Sequence, residues 1–204
     1  MGKGIVIQLQ EEALNDAVNI ENLLRKAFLV ARKLQLKDFE EWIVCEQNGY
    51  KTEVPSYRYI GGEIKAWNPY HGWIPVMMEG KMADLLSTMP MSQPISSIAD
   101  VYESSDGSVS FVLGGELTEF LNKNTTAFET KYNFKSSKSE LKKIISAVRN
   151  KILDWAILLE ENGIIGDELV FSETEKKTAQ ESSVINNYTN NFYSNVENPN
   201  IEQG

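Results

Sequence analysis

The longest helical pattern in the chain runs from Ser137 to Gly163, and it constrains the fold more than any other stretch. Leu141, Ile145, Val148, Ile152, Trp155 and Leu159 recur at alternating steps of four and three, so they line one face of a helix. Such a stripe must be buried against other elements. Ser137 with Glu140 has the spacing of a capping box, and Asn162-Gly163 supplies a left-handed stop. Ile144 and Ala156 widen the stripe beyond a coiled-coil seam, which predicts a core helix. Lys142, Lys143, Arg149, Lys151, Asp154 and Glu161 fall on the opposite, solvated face.

The segments before it divide by period. Leu14, Ala17, Val18, Leu23, Leu24, Ala27, Phe28, Ala31 and Leu34 have helical spacing, with Asn19 placed to cap a restart. Leu36, Phe39, Trp42 and Ile43 predict a second helix ended by Asn48-Gly49, so residues 11–48 form a helical pair. After Val54-Pro55 the period becomes two. Ile60, Gly62, Ile64 and Ala66 alternate with polar and aromatic neighbours through Gly61-Gly62, which predicts one long strand with a bend and not a hairpin. Asn68-Pro69-Tyr70-His71-Gly72 is a turn, and Trp73-Ile74-Pro75-Val76 returns as a strand near an edge. Val109, Phe111 and Leu113, and then Phe128, Thr130, Tyr132 and Phe134, predict two more strands. Residues 89–94, closed by two prolines, read as a loop. The expected class is therefore α+β: an N-terminal helical pair, a small, mostly antiparallel sheet of about four strands, a long C-terminal core helix and a flexible polar tail.

The organisation expected from composition is a folded domain over 1–171, a polar linker over 172–183 and an Asn-rich tail over 184–204. Ala179 is the linker's single apolar residue, which leaves it a flexible connection or a solvated helix. The tail holds seven asparagines among Tyr188, Phe192, Tyr193, Val184, Ile185, Val196 and Ile201. Side-chain amides stacked in register form ladders along a stack of chains, and aromatics stack above one another. Asn186, Asn187, Tyr188, Asn190, Asn191, Phe192, Tyr193, Val196 and Ile201 are on this ground the candidate oligomerisation residues.

Charge and composition exclude several classes. A net charge of −9 disfavours non-specific nucleic-acid or anionic-membrane partners, and no apolar run approaches the roughly 18 residues that a span needs. The residues Met1-Gly2-Lys3-Gly4-Ile5-Val6 carry neither a signal-peptide core nor a myristoylation pattern. The expected location is the cytoplasm. Cys45 is the sole cysteine, so no disulfide within the chain is possible, and it reads as a small core hydrophobe. His71 is the sole histidine, and one His with one Cys does not make a zinc site, so no metal is expected. Neither a phosphate-binding loop nor a dinucleotide fingerprint occurs, so no cofactor is expected. An enzymatic reading rests on His71, Tyr70 and Arg58 around the Asn68–Trp73 turn, although nothing at motif spacing supports His71 as a base.

The landmarks resemble one known family. Leu23-Leu24-Arg25-Lys26-Ala27, Phe39-Glu40-Glu41-Trp42, Val54-Pro55 with Tyr57-Arg58, Asn68-Pro69-Tyr70-His71-Gly72-Trp73 with Pro75-Val76, and Val148-Arg149-Asn150-Lys151 with Leu153-Asp154-Trp155-Ala156 are similar to the AbiTii abortive-infection proteins of bacterial anti-phage defence. The resemblance covers roughly residues 7 to 177 and brings a biological role without catalytic residues. The tail resembles Asn-rich segments that follow effector domains in bacterial immune proteins, but carries no glycine between Ser182 and Gln203. What this implies is an interaction and assembly module of phage defence whose tail drives homo-oligomerisation, with a phage or host protein as trigger. The alternatives are an enzymatic toxin built on the Asn68–Trp73 turn and a dimerisation domain built on the long helix.

Overall fold

The computed structural model describes residues 3–78, 80–125 and 129–190. The chain divides into two compact units, one of residues 1–56, 92–98 and 145 onward, the other of residues 57–91 and 99–144. The class is α+β, with a helical pair near the N-terminus, an antiparallel sheet and one long helix.

The first unit is helical. Helix α1 (Ile5–Leu14) starts earlier than its pattern predicts, because Ile5, Val6 and Leu9 are all buried. Helix α2 (Ile20–Leu34) restarts where expected: the Asn19 side chain accepts hydrogen bonds from the amides of Glu21 and Asn22. Helix α3 (Lys37–Asn48) ends at Gly49, whose φ of 86° lies in the left-handed region, and a Cβ there would stand 2.7 Å from the Ser92 carbonyl. The long helix α7 spans Lys138–Glu161, and its residues from Ile145 onward belong to this unit. Val148, Ile152, Trp155, Ala156 and Leu159 are completely buried, and the Trp155 ring stacks on Phe39 with centroids 3.9 Å apart. An aromatic pair of this kind adds about 0.5–1.5 kcal/mol beyond the area it buries.

Two details of α7 differ from the sequence pattern. Ile144 is fully buried while Ile145 is half-buried, so the stripe shifts by one position near the helix start. Arg149, predicted on the solvated face, is only 8% exposed: its Nη1 donates to the Asn15 carbonyl at 3.3 Å and its Nη2 to the Val18 carbonyl. The guanidinium thus satisfies the carbonyls of the loop between α1 and α2, a contact between residues more than a hundred positions apart that helical periodicity does not register.

The second unit is built on strand β1 (Tyr59–Asn68), which passes through Gly61-Gly62 without a hairpin turn. It pairs antiparallel with β2 (Gly72–Pro75), with β5 (Tyr132–Ser137) and, at its start, with the short β3 (Thr88–Pro90); β5 also pairs with β4 (Ser108–Val112), giving the order β2-β1-β5-β4. Ile60, Ile64 and Ala66 are buried as the alternation predicts. Helices α4 (Lys81–Leu85) and α6 (Gly115–Thr125) complete the connections, and α5 (Ile95–Ser104) belongs to this unit after Ile98. Strand β3 overlaps the stretch predicted as loop, and the fourth predicted strand begins at Tyr132, with Phe128 outside the described residues.

Where β1 runs past its ladder with β5, side chains take over. The Gly61 amide donates to the Glu140 carboxylate at 3.1 Å, and the Ser136 hydroxyl donates to the Gly61 carbonyl at 2.6 Å. Glu140 therefore serves the strand and not the predicted capping box, while the Ser137 hydroxyl accepts the Ser139 amide. Lys143 and the Gly61 amide hold the Glu140 carboxyl below the usual carboxylate range. Gly62 is required for a different reason: a Cβ there would lie 2.5 Å from both the Lys135 carbonyl and the Phe134 ring, whereas one on Gly61 would meet only the Glu140 carboxylate at 3.6 Å. Gly62→Ala is expected to destabilise the protein by about 1–3 kcal/mol through overpacking, and Gly61→Ala to change stability by well under about 1 kcal/mol. Paired denaturant titrations of the two variants check this; equal losses would contradict it.

Candidate functional site

The turn that carries the enzymatic candidates folds as its residues dictate. Asn68 Oδ1 accepts from the amides of Tyr70 (2.9 Å) and His71 (3.1 Å), an Asx turn, and Gly72 follows with φ 72°. Cross-strand pairing sets Trp67 opposite Trp73, with ring centroids 5.4 Å apart in an edge-to-face arrangement. Tyr70 is 90% exposed and His71 is exposed too. Arg58 sits at the other end of β1, fully buried, with Nη1 donating to the Met91 carbonyl at 2.8 Å. The ten-residue strand thus separates Arg58 from His71 by about 30 Å at the usual rise, so the structure brings Tyr70 and His71 together but not Arg58.

At the C-terminal end, residues of the first unit form a second, more connected arrangement. Segment 172–183, open between linker and helix in the sequence, folds as α8 (Glu173–Glu181). Ser172 and Glu175 form a reciprocal capping box, and Glu175 also accepts from the amides of Ile165 (3.0 Å) and Gly166 (2.8 Å). Burial pushes the Glu175 carboxyl upward, but the amides of Gly166, Ser172 and Ile165 and the Ser172 hydroxyl outweigh it, leaving the group below its ordinary range. Ala179, the only apolar residue of the segment, is completely buried.

Helix α9 (Ser183–Asn190) follows directly and contains the first of the tail residues. Ile185 is 1% exposed. The Tyr188 hydroxyl donates to the Lys151 carbonyl at 3.2 Å and lies 3.3 Å from the Asp154 carboxylate; burial first and Asp154 second raise its pKa above the usual phenol value. Asn186 Nδ2 donates to the Gln180 carbonyl at 2.9 Å, and Asn187 is exposed. Asn186, Asn187 and Tyr188 therefore belong to a helix packed on α7 and α8, not to a strand of stacked amides. Asn190 is the last residue of α9, while Asn191, Phe192, Tyr193, Val196 and Ile201 lie outside the described residues. Sequence reasoning missed this anchor: Ile185 and Tyr188 stand three apart, the helical spacing that was legible but lay inside an Asn-rich composition.

Among the described residues, no cluster of three or more His, Cys, Asp or Glu is placed to hold a metal ion, and Cys45 is half-buried on α3. No helix among them is long and apolar enough to cross a membrane.

The molecule is thus an α+β protein with a docked C-terminal helix, and the comparison with known families agrees with its motifs. The AbiTii family model matches residues 4–184, and the chain belongs to the AbiTii family. No curated protein and no solved structure matches it.

Two variants probe this region. Because the folded-state pKa of Glu175 is depressed, its contribution is fully present above the unfolded carboxylate range near about 4.3 and is lost as pH falls through the folded value. Glu175→Gln is therefore expected to cost about 1 kcal/mol at neutral pH and to flatten the acid limb of the stability curve, as read from urea midpoints between neutrality and acid. Ile185→Ala removes the buried contact of α9, for which core truncations cost about 2–5 kcal/mol, so limited proteolysis should cut within 183–190 sooner than in the parent protein while the helical core stays intact. Unchanged cleavage would contradict the anchor.

Proposed function

We propose that the protein acts in abortive-infection defence against phage as an assembly module, with the residues beyond α9 driving self-association on a trigger from phage or host protein. Family membership supports the defence role. The observation that carries the assembly reading is a coincidence of boundaries: the family match ends at Val184, and the Asn-rich composition begins there. Ile185 and Tyr188 fix the first turns of that segment to the folded body. Asparagine amides and aromatics gain from in-register stacking only when several chains meet. Once a few tails pair, tethering raises the effective concentration of the bodies they carry by orders of magnitude.

Removing residues 191–204 leaves α9 and its anchor in place and separates the two roles. The truncated protein is expected to sediment as a smaller species than the full chain and to lose protection in a plaque assay, while His71→Ala protects as the parent does. Equal assembly and equal protection by the truncated chain would overturn the proposal, and loss of protection by His71→Ala alone would transfer it to the Asn68–Trp73 turn.

A further inference from the structure

The sheet ends at β2 on one side and at β4 on the other, and the two ends are finished differently. An edge strand presents backbone amides and carbonyls to any strand that passes, and folded chains blunt such edges with proline, charge or a bulge. Pro75 in β2 and Pro90 in β3 do this at one end. Strand β4 has no such device. From Gly107 to Gly115 the chain carries neither a proline nor a charged residue, while Val109, Phe111 and Val112 are strong strand formers. Its pairing with β5 runs from Ser108 against Ser137 to Val112 against Asn133 without a slip, so no bulge turns the edge aside. Among the described residues no second strand pairs with it. Val112, an apolar residue at the end of this open edge, is 91% exposed.

The register says what fits there, because β4 is complementary to itself. A second β4 turned about a twofold axis through Ser110 runs antiparallel, with Val109 opposite Phe111, Ser108 opposite Val112 and Ser110 opposite its own copy. Each pair joins positions an even number apart, so both members lie on the same face of the sheet. Val109 and Phe111 share the face of Phe134 and Ile64, and pairing a β-branched residue with an aromatic one across strands is favourable. Ser108, Ser110 and Val112 stay together on the exposed face. A slip by one residue sets Val109 against Ser110 and mixes the two faces, which fixes the register. The absence of charge also matters in a chain of net charge −9, since two copies repel each other least along an uncharged edge.

We propose that β4 is the surface through which two copies of this chain join edge to edge, extending one sheet across both. Five residues a side make a contact below the roughly 1,200–2,000 Å² of stable interfaces, so it closes when copies are crowded together. The strand shares no residue with the C-terminal segment, and the pairing holds or fails independently of tail-driven assembly.

Hydrogen exchange of the full chain, read by mass spectrometry on the peptide covering 108–112, tests it at rising protein concentration. The β4 amides are expected to gain protection with concentration, while those of β5, already paired on both edges, do not change. Ser110→Lys and Ser110→Glu, at an exposed position, each place two like charges directly opposite on the axis and should each require at least about five-fold more protein for the same protection. An equimolar mixture of the two variants sets lysine against glutamate and should restore it, a rescue that neither misfolding nor tail stacking would produce. Concentration-independent exchange in β4 up to near-millimolar protein overturns the proposal. So does a mixture that stays as unprotected as its components. Loss of β4 protection at matched concentration on removing residues 191–204 also overturns it, by assigning the edge to the tail.

Discussion

The burial of one face of α7 is the constraint on which the helical unit depends. Val148, Ile152, Trp155, Ala156 and Leu159 leave no surface to water, and the flat contact of Trp155 on Phe39 joins that stripe to α3. Most helical stability in proteins comes from tertiary packing of an apolar face and not from intrinsic propensity, so this buried stripe holds the helix. The same helix carries polar partners for other segments. Arg149 holds the loop between α1 and α2 through two carbonyls, and the Lys151 carbonyl with the Asp154 carboxylate receives Tyr188 from α9.

The sheet unit has its own organising element in β1, the strand that pairs with β2, β3 and β5. Two adjacent glycines do different work there. Gly62 admits the close approach of β5, and Gly61 exposes an amide and a carbonyl that Glu140 and Ser136 complete. Backbone polar groups beyond the end of a ladder need partners, and side chains from the following segment supply them. The Asx turn at Asn68 then delivers Trp73 opposite Trp67.

The elements whose signals are periodic were legible in the sequence. The stripe of α7, the restart at Asn19, the stop at Gly49 and the uninterrupted passage of β1 through Gly61-Gly62 all follow from spacing and capping chemistry. What spacing does not carry is partnership at a distance. Arg149 looked solvated because it falls on the charged face opposite the apolar stripe, Glu140 looked like a cap because Ser137 precedes it, and β3 is too short and too proline-bounded to show a period of two. The α9 anchor was hidden by composition, because Ile185 and Tyr188 lie among asparagines whose stacking chemistry is a property of many chains.

These contacts rank the helices of the first unit by how tightly each is held. Helix α7 is locked by an entire buried face, whereas α9 buries Ile185 and adds polar contacts such as those of Tyr188 and Asn186. A helix held by so few contacts opens at lower free energy than one locked along a whole face. Native-state hydrogen exchange tests this ranking most directly. The amides of residues 148–159 are expected to exchange only through global unfolding, and those of 186–190 through a local opening of smaller free energy. Protection of α9 equal to that of α7, or exchange of the α7 amides ahead of those in α9, would contradict the account.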